Sequence, residues 1–453
     1  MKAFELRHQY LQVIALIAGS MIASQAGAAV FTWNAGAGGG GVGDGFSYID
    51  VNNWWNPAPG PAVGAPTSNP ATEIKFDNLG AAATVVNLDA TRAVGKINFA
   101  ALAGATAYNI IALDSTKSFA VAGIAGTGIV NDSTTVQEID ANISLINSQT
   151  WAANTGALTL GGTVGVGTKT LTLSGAQNFT FGSALTGAGS GSVILNGSGN
   201  VTFGASSTFN GSVTVNSGTL TLAADQATGT GSIILSGGTL ATSGSRTLAN
   251  TVSGTGSISV AAADALTLSG PVSGTLTKAG PGILELSGNN NSFTSMTLTG
   301  GTLALGGASS GIMPVGGGLT FNGGTFAARN HSETMGALTL ASSSTMQLQA
   351  DSTPGSLTFA SASRSAGTLT IRGWSGVANL TTPSTAGTDD RIFISSAPAA
   401  DFLSNVNFDG YPSGGKMLGD ELVPVPEPHQ YAMMIGFGLM GFAAYRRLNR
   451  KTA

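Results

Sequence analysis

The 453-residue sequence contains no cysteine, three histidines, and a combined 9% of Asp, Glu, Lys and Arg. Each shortage excludes something. Without cysteine there is no disulfide framework, so an exported chain of this kind must be held by packing, backbone hydrogen bonds or bound ions. Charge this sparse, against ~25% in ordinary soluble domains, argues against a cytosolic enzyme. His331 is the one histidine away from the two ends, which leaves no histidine-based metal cluster to build.

What the sequence has in excess is glycine, 67 residues, alongside 42% hydrophobic residues. That much apolar surface supports a core and disfavours simple disorder. At the front, Lys2 and Arg7 precede the apolar run Leu11 to Ala18, and small residues follow around Ala26 and Ala28. This order predicts a secretory signal peptide over residues 1–28, cleaved near Ala26 or Ala28. Its apolar stretch is shorter than the ~20 residues a membrane anchor needs. At the back, His429 to Tyr445 carries no charge, and Arg446, Arg447, Arg450 and Lys451 follow at once. The pattern predicts a short transmembrane helix over about 429–445 with its basic end on the cytoplasmic side. Gly436, Gly438 and Gly441 would let another membrane helix pack closely against it. With both end segments removed the body carries a net charge of about −9, so neither nucleic acid nor an anionic membrane surface is an expected partner.

Val425-Pro426-Glu427-Pro428, the apolar span and Arg446-Arg447 together resemble the PEP-CTERM sorting signal of Gram-negative bacteria. The resemblance implies that a membrane-embedded exosortase reads the segment 425–453 through Pro426, Glu427, Pro428, Arg446 and Arg447. It further implies that the tail is lost and the remainder reaches the cell surface or extracellular matrix. The two prolines keep the stretch extended and without ladder donors, a shape accessible to an enzyme.

Between the ends the chain repeats short phrases such as GALTLGG, KTLTLSG, GTLTLAA, GILELSG and GTLTIRG. Within each, apolar residues recur at every second position, as in Leu171 and Leu173, Leu220 and Leu222, or Leu303 and Leu305, which places them on one face of a strand. Thr and Ser take the other face, and glycine at the strand ends permits sharp corners. Short strands repeated over residues 141–370 are compatible with a sandwich, a barrel or a solenoid. Residues 141–277 hold only Lys169, Asp225, Arg246 and Asp264 as ionised groups, too few to guard many open strand edges. A parallel β-solenoid, which exposes edges only at its terminal coils, is therefore the expected all-β fold, at roughly 20 to 25 residues per coil.

The stretch Leu276-Thr277-Lys278-Ala279-Gly280-Pro281-Gly282-Ile283-Leu284-Glu285-Leu286-Ser287-Gly288-Asn289-Asn290, followed by Phe293 and Gly300-Gly301-Thr302-Leu303, is similar to the autotransporter-associated β-strand repeat. That resemblance implies a right-handed parallel β-helix of the kind found in surface passenger domains. Other repeats of the chain lack the Lys-x-Gly-x-Gly core. Residues 29–140, with Trp33, Trp54, Trp55 and several prolines, are read as an N-terminal cap and first coils. Residues 371–424, with Trp374, Phe393, Phe402 and Phe408, are read as the opposite cap and a linker.

Catalysis has little to work with. Parallel β-helices that cut polysaccharide need convergent carboxylates on one face. Here Glu285 is the sole carboxylate between Asp264 and Glu333, and its alternation with Leu284 and Leu286 turns it outward into solvent. His331 lies in ARNHSETMG, read as a polar loop between strands. Asp44 and Asp50 among glycines offer oxygen ligands for calcium, but one irregular copy reads better as a surface loop. Trp54-Trp55 is expected to fill the cap rather than stack on sugars. The pairs Thr170/Thr172, Thr219/Thr221, Thr297/Thr299 and Thr368/Thr370 raise an ice-binding reading that needs rows stacked in register, and their uneven spacing speaks against it. No catalytic residue, metal site or cofactor is assigned. The expectation is an exported structural or adhesive surface protein, handled by exosortase, passing the inner membrane transiently and associating with exopolysaccharide or biofilm. A glycan- or ice-binding module and a polysaccharide-degrading enzyme are the alternatives.

Overall fold

The computed structural model describes residues 29–33, 54–55, 66–76, 85–101, 106–187, 189–307, 310–348, 354–376, 383–384, 389–411, 414–425 and 439–440. Contacts divide the chain into two compact units, 1–162 and 163–453. Each is a parallel β-solenoid, and the regular helix described within them is one turn long, Ala400–Ser404.

In the first unit, strand Val30–Trp33 pairs in parallel with Asn69–Phe76, which pairs in parallel with Arg92–Phe99. Arg92–Phe99 is then followed by two shorter strands, Ser118–Val121 and Thr127–Asn131, each parallel to part of it. The register aligns Trp33 with Phe76 and Phe76 with Phe99. Their rings pile up in the interior, Trp33 to Phe76 at 6.2 Å and Phe76 to Phe99 at 5.1 Å, with Tyr108 5.1 Å from Phe76. All four are buried, a large apolar payload near the start of the stack. On its other edge Val30–Trp33 pairs antiparallel with Trp54–Trp55. Further along, buried amides replace hydrocarbon at the corners. Asn131 donates to the carbonyls of Thr135 and Ala157, and Gln137 donates to Thr106 and accepts from the Tyr108 amide. Such satisfied side chains pair backbone groups that a corner leaves without a ladder partner.

The second unit shows why the Leu-x-Leu phrases fold as they do. Leu171, Val193, Val213, Ile233 and Val252 align through four successive parallel pairings. Every one of them is fully buried, so alternation along the strand becomes a hydrocarbon column across strands. From Ile233–Thr242 onward the coil settles into one long strand and one short strand. The long series runs Val252–Ser259, Ser273–Ala279, Ser292–Leu298, Gly318–Asn322, Ser332–Ser342, Ser356–Arg364 and Arg391–Ile394. The short series runs Arg246–Leu248, Ala265–Leu268, Ile283–Leu286, Thr302–Leu305, Thr325–Arg329, Ser344–Leu348, Leu369–Arg372 and Val406–Phe408. Burying each Leu or Phe contributes roughly 1.5–3 kcal/mol, enough to do without disulfides when repeated in every coil.

Glycine matters most where the long strands bend. Gly254 and Gly274 have φ of +100° and +97°, and they stack on one another. A Cβ on Gly254 would strike the Leu235 carbonyl oxygen, and one on Gly274 the Gly254 carbonyl oxygen. At the C-terminal end, Gly415–Leu418 and Glu421–Pro424 form an antiparallel hairpin that pairs with Arg391–Ile394. Glu421, 2% exposed at its side chain, holds Arg391 at 3.2 Å across this cap. The Val425 amide donates to Gly414 O at 3.0 Å.

Candidate functional site

The outward residues of the long-strand series line up in register with those of the two shorter strands before it, Asn200–Phe203 and Thr219–Leu222. Asn200, Thr219, Thr239, Ser257, Thr277, Thr297, Thr320, Thr339 and Ser363 occupy one register position in successive coils. Two residues earlier along the strands, Thr255, Thr275 and Ser295 make a second column. Neighbouring strands lie ~4.8 Å apart, so the hydroxyls recur at that spacing. Thr221 donates to the Asn200 side chain at 2.7 Å, and Asn216 to Asn196 at 2.6 Å, so amides tie adjacent coils at the margins of the array. Between Thr219 and Ser342 the strands of this series contain two ionisable residues, Lys278 and Glu333, and both are buried. The outward face over that length is uncharged.

The short-strand face is different. Glu285 points outward there and pairs with Arg329 at 2.9 Å, while Arg372 lies 3.7 Å from Asp409. Ile283 is exposed on the same strands. The two faces of one solenoid therefore offer unlike chemistry, one a neutral hydroxyl surface and the other a mixed, charged one.

The two buried ions were not recognised from the sequence. Lys278 aligns with Ile258 on one side and Leu298 on the other. Its amine turns back to donate to the carbonyls of Ala279 and Gly280 at 2.8 Å and of Gly300 at 3.2 Å. It thereby clamps the glycine corners of two coils, and burial lowers its pKa to about 8. Glu333 opens the strand Ser332–Ser342, where ARNHSETMG was expected to be a loop; only Asn330 and His331 turn. Its carboxylate accepts from the amides of Gly311, Ile312 and Met313 at 3.0–3.1 Å. Burial pushes this carboxyl above its usual range, against the pull of those donors and of His331. Strand parity was the available signal for both, since Lys278 follows Leu276 and Glu333 precedes Met335 by two positions.

His331 is half-buried with Nδ1 3.1 Å from Ala328 O. Among the described residues no three His, Asp or Glu side chains gather as a cation site. Pro426, Glu427, Pro428, Arg446 and Arg447, with Ala26, Ala28, Asp44 and Asp50, lie outside the described residues, and Trp54-Trp55 is described only as strand backbone. Among the described residues no helix is long and apolar enough to cross a membrane; the expected span 429–445 falls outside them except at Leu439 and Met440.

Residues 424–447 match the PEP-CTERM protein-sorting motif, and residues 185–222 and 276–305 match the passenger-associated transport repeat. The chain carries a sorting motif and passenger-type repeats. The second repeat match covers the Lys278 corner, and the first covers coils that lack the Lys-x-Gly-x-Gly phrase but share its strand spacing. No curated protein and no solved structure matches. The sorting motif and the β-solenoid repeats mark an exported surface protein, and the motif implies processing by exosortase.

Proposed function

We propose that this exported surface protein holds neutral extracellular polysaccharide along the hydroxyl face of its second unit. The register of Thr219, Thr239, Ser257, Thr277, Thr297, Thr320 and Thr339 is the observation that carries the reading. A step of ~4.8 Å per coil is close to the length of one sugar ring in an extended chain, so successive rings laid along the column meet the same chemistry. Each neutral hydrogen bond contributes only about 1 kcal/mol. Many in register act together, so affinity grows with polymer length rather than pocket depth.

In this reading the signal peptide is removed near Ala26 or Ala28, and the segment about 429–445 holds the chain in the inner membrane. Exosortase then acts around Pro426-Glu427-Pro428, with Arg446-Arg447 on the cytoplasmic side. The remainder becomes an adhesive component of matrix or biofilm, with no catalytic group or cofactor. Co-sedimentation of the exported protein with insoluble neutral polysaccharide tests it. Retention that rises with chain length supports the proposal; no retention overturns it, and shortening of the polymer would make the protein an enzyme.

One observation favours a second reading. Thr255/Ser257, Thr275/Thr277 and Ser295/Thr297 form a two-column array in register, the arrangement that ordering of ice would need. Thr219 and Thr297 share one column despite their uneven sequence spacing, whereas Thr170 and Thr172 align with Ser192 and Ile194 in other columns and Thr370 belongs to the other face. Thermal hysteresis separates the two readings.

A further inference from the structure

A long connector interrupts the regular coil on the margin of the hydroxyl face. Connectors from short to long strands span residues 287–291 and 330–331 in the coils on either side, but 306–317 in between. The ladder from Ser292–Leu298 to Gly318–Asn322 begins only at Ser295, so on the side of the next coil Ser292 to Thr294 lie beside this connector instead of a strand. The break is a groove of about 590 Å³, within the size range of small-ligand sites. Asn290, Ser292 and Thr294 form one wall, and Met313, Pro314 and Val315 contribute to the other.

The connector wall is built to hold its shape. Glu333 accepts from the Gly311, Ile312 and Met313 amides, Asn291 Nδ2 donates to Ile312 O at 2.8 Å, and Gly317 N donates to Pro314 O at 2.9 Å. A wall ordered in advance costs less to close on a ligand. Val315 is nevertheless 74% exposed, an aliphatic residue lining the same groove as the hydroxyl and amide groups of Asn290, Ser292 and Thr294.

The lining selects the ligand class. Among its described residues none is ionisable, so neither an anion nor a cation finds a partner, and the nearby Glu333 carboxylate is fully occupied by backbone donors. Hydroxyl and amide groups facing an aliphatic wall suit a molecule that is itself hydroxyl-rich on its edges and apolar on one face. We propose that this groove binds one or two rings of a neutral saccharide. It goes beyond the shallow column of the adjoining face, since it is a separate concave site that would bind a short sugar the column cannot hold.

The test uses the exported protein and three probes: maltose, cellobiose and N,N′-diacetylchitobiose, followed by saturation-transfer NMR and titration. At least one disaccharide is expected to bind at millimolar concentration or better. Val315→Arg, on an exposed side chain, should weaken that binding by about tenfold or more, and Ser292→Ala with Thr294→Ala by a similar factor. A Thr277→Lys/Thr297→Lys variant should keep disaccharide binding while losing retention on polymer, which separates failure of the groove from failure of the face. No binding of any probe, binding unchanged by Val315→Arg, or binding of short extended peptides in place of sugars would overturn the assignment.

Discussion

Lys278 sits in a column that Leu240, Ile258, Leu298, Phe321 and Leu340 otherwise fill with hydrocarbon. Two forces compete there: burial disfavours the ammonium, and three carbonyls favour it. Burial prevails, leaving the amine near 8 against its ordinary 10.5. The folded state then binds fewer protons than the unfolded chain between pH 8 and 10.5, so stability from this residue rises with pH across that window and stays at its low level below about 8. Relative to Lys278→Met, wild type should therefore gain roughly 3 kcal/mol between pH 7.5 and pH 10.5, read from paired urea midpoints. A difference that does not change with pH would mean the carbonyls keep the amine charged throughout. Lys278 and Glu333 were both visible as letters but not as interior groups. Composition places ions outside, whereas strand parity places these two inside, and parity wins when backbone groups at a corner stand ready to receive the charge.

At the scale of the strand, alternation of Leu with Thr was sufficient to read which side faces the core. Coil register was not readable, because corners differ in length: Asn216 reaches Asn196 20 residues back, whereas Thr116 is reached by Thr91 from 25. Thr219 and Thr297, unevenly spaced in sequence, thus share one column, while Thr370 lies on the other sheet. The groove at 306–317 was invisible for the same reason, being a long corner among many glycine-rich ones. Bends within strands depend on a conformation most residues avoid. Gly254→Ala is expected to cost about 2 kcal/mol or more, through positive φ and collision with the Leu235 carbonyl, and Gly274→Ala a similar amount. Alanine at Gly311, which has open space around its Cα, carries only the φ cost and serves as the comparison in thermal or urea melts.

For the molecule as a whole, the scarcity of charge and the absence of cysteine acquire a common physical meaning. Parallel stacking pairs strand edges with neighbouring coils, so few ionised groups are needed to keep edges from associating. Hydrocarbon columns repeat in every coil and supply the stability that disulfides give smaller exported domains. The absence of charge from one face is then available for binding neutral material, while Glu285, Arg329, Arg372 and Asp409 keep the other face wet. The solenoid and the sorting motif were legible in the sequence because both are written in periodicity and order of parts. The asymmetry of the two faces was not, since it emerges only when coils are placed on one another.

That asymmetry is tested most directly by moving charge between faces. Retention of the exported protein on insoluble neutral polysaccharide is measured for wild type, for Thr277→Lys/Thr297→Lys on the long-strand face, and for Thr267→Lys/Thr325→Lys on the short-strand face. The long-strand pair should weaken retention by about tenfold or more, and the short-strand pair should leave it within about twofold. Equal loss from both pairs, or no loss from the first, would contradict the claim that one uncharged hydroxyl face does the binding.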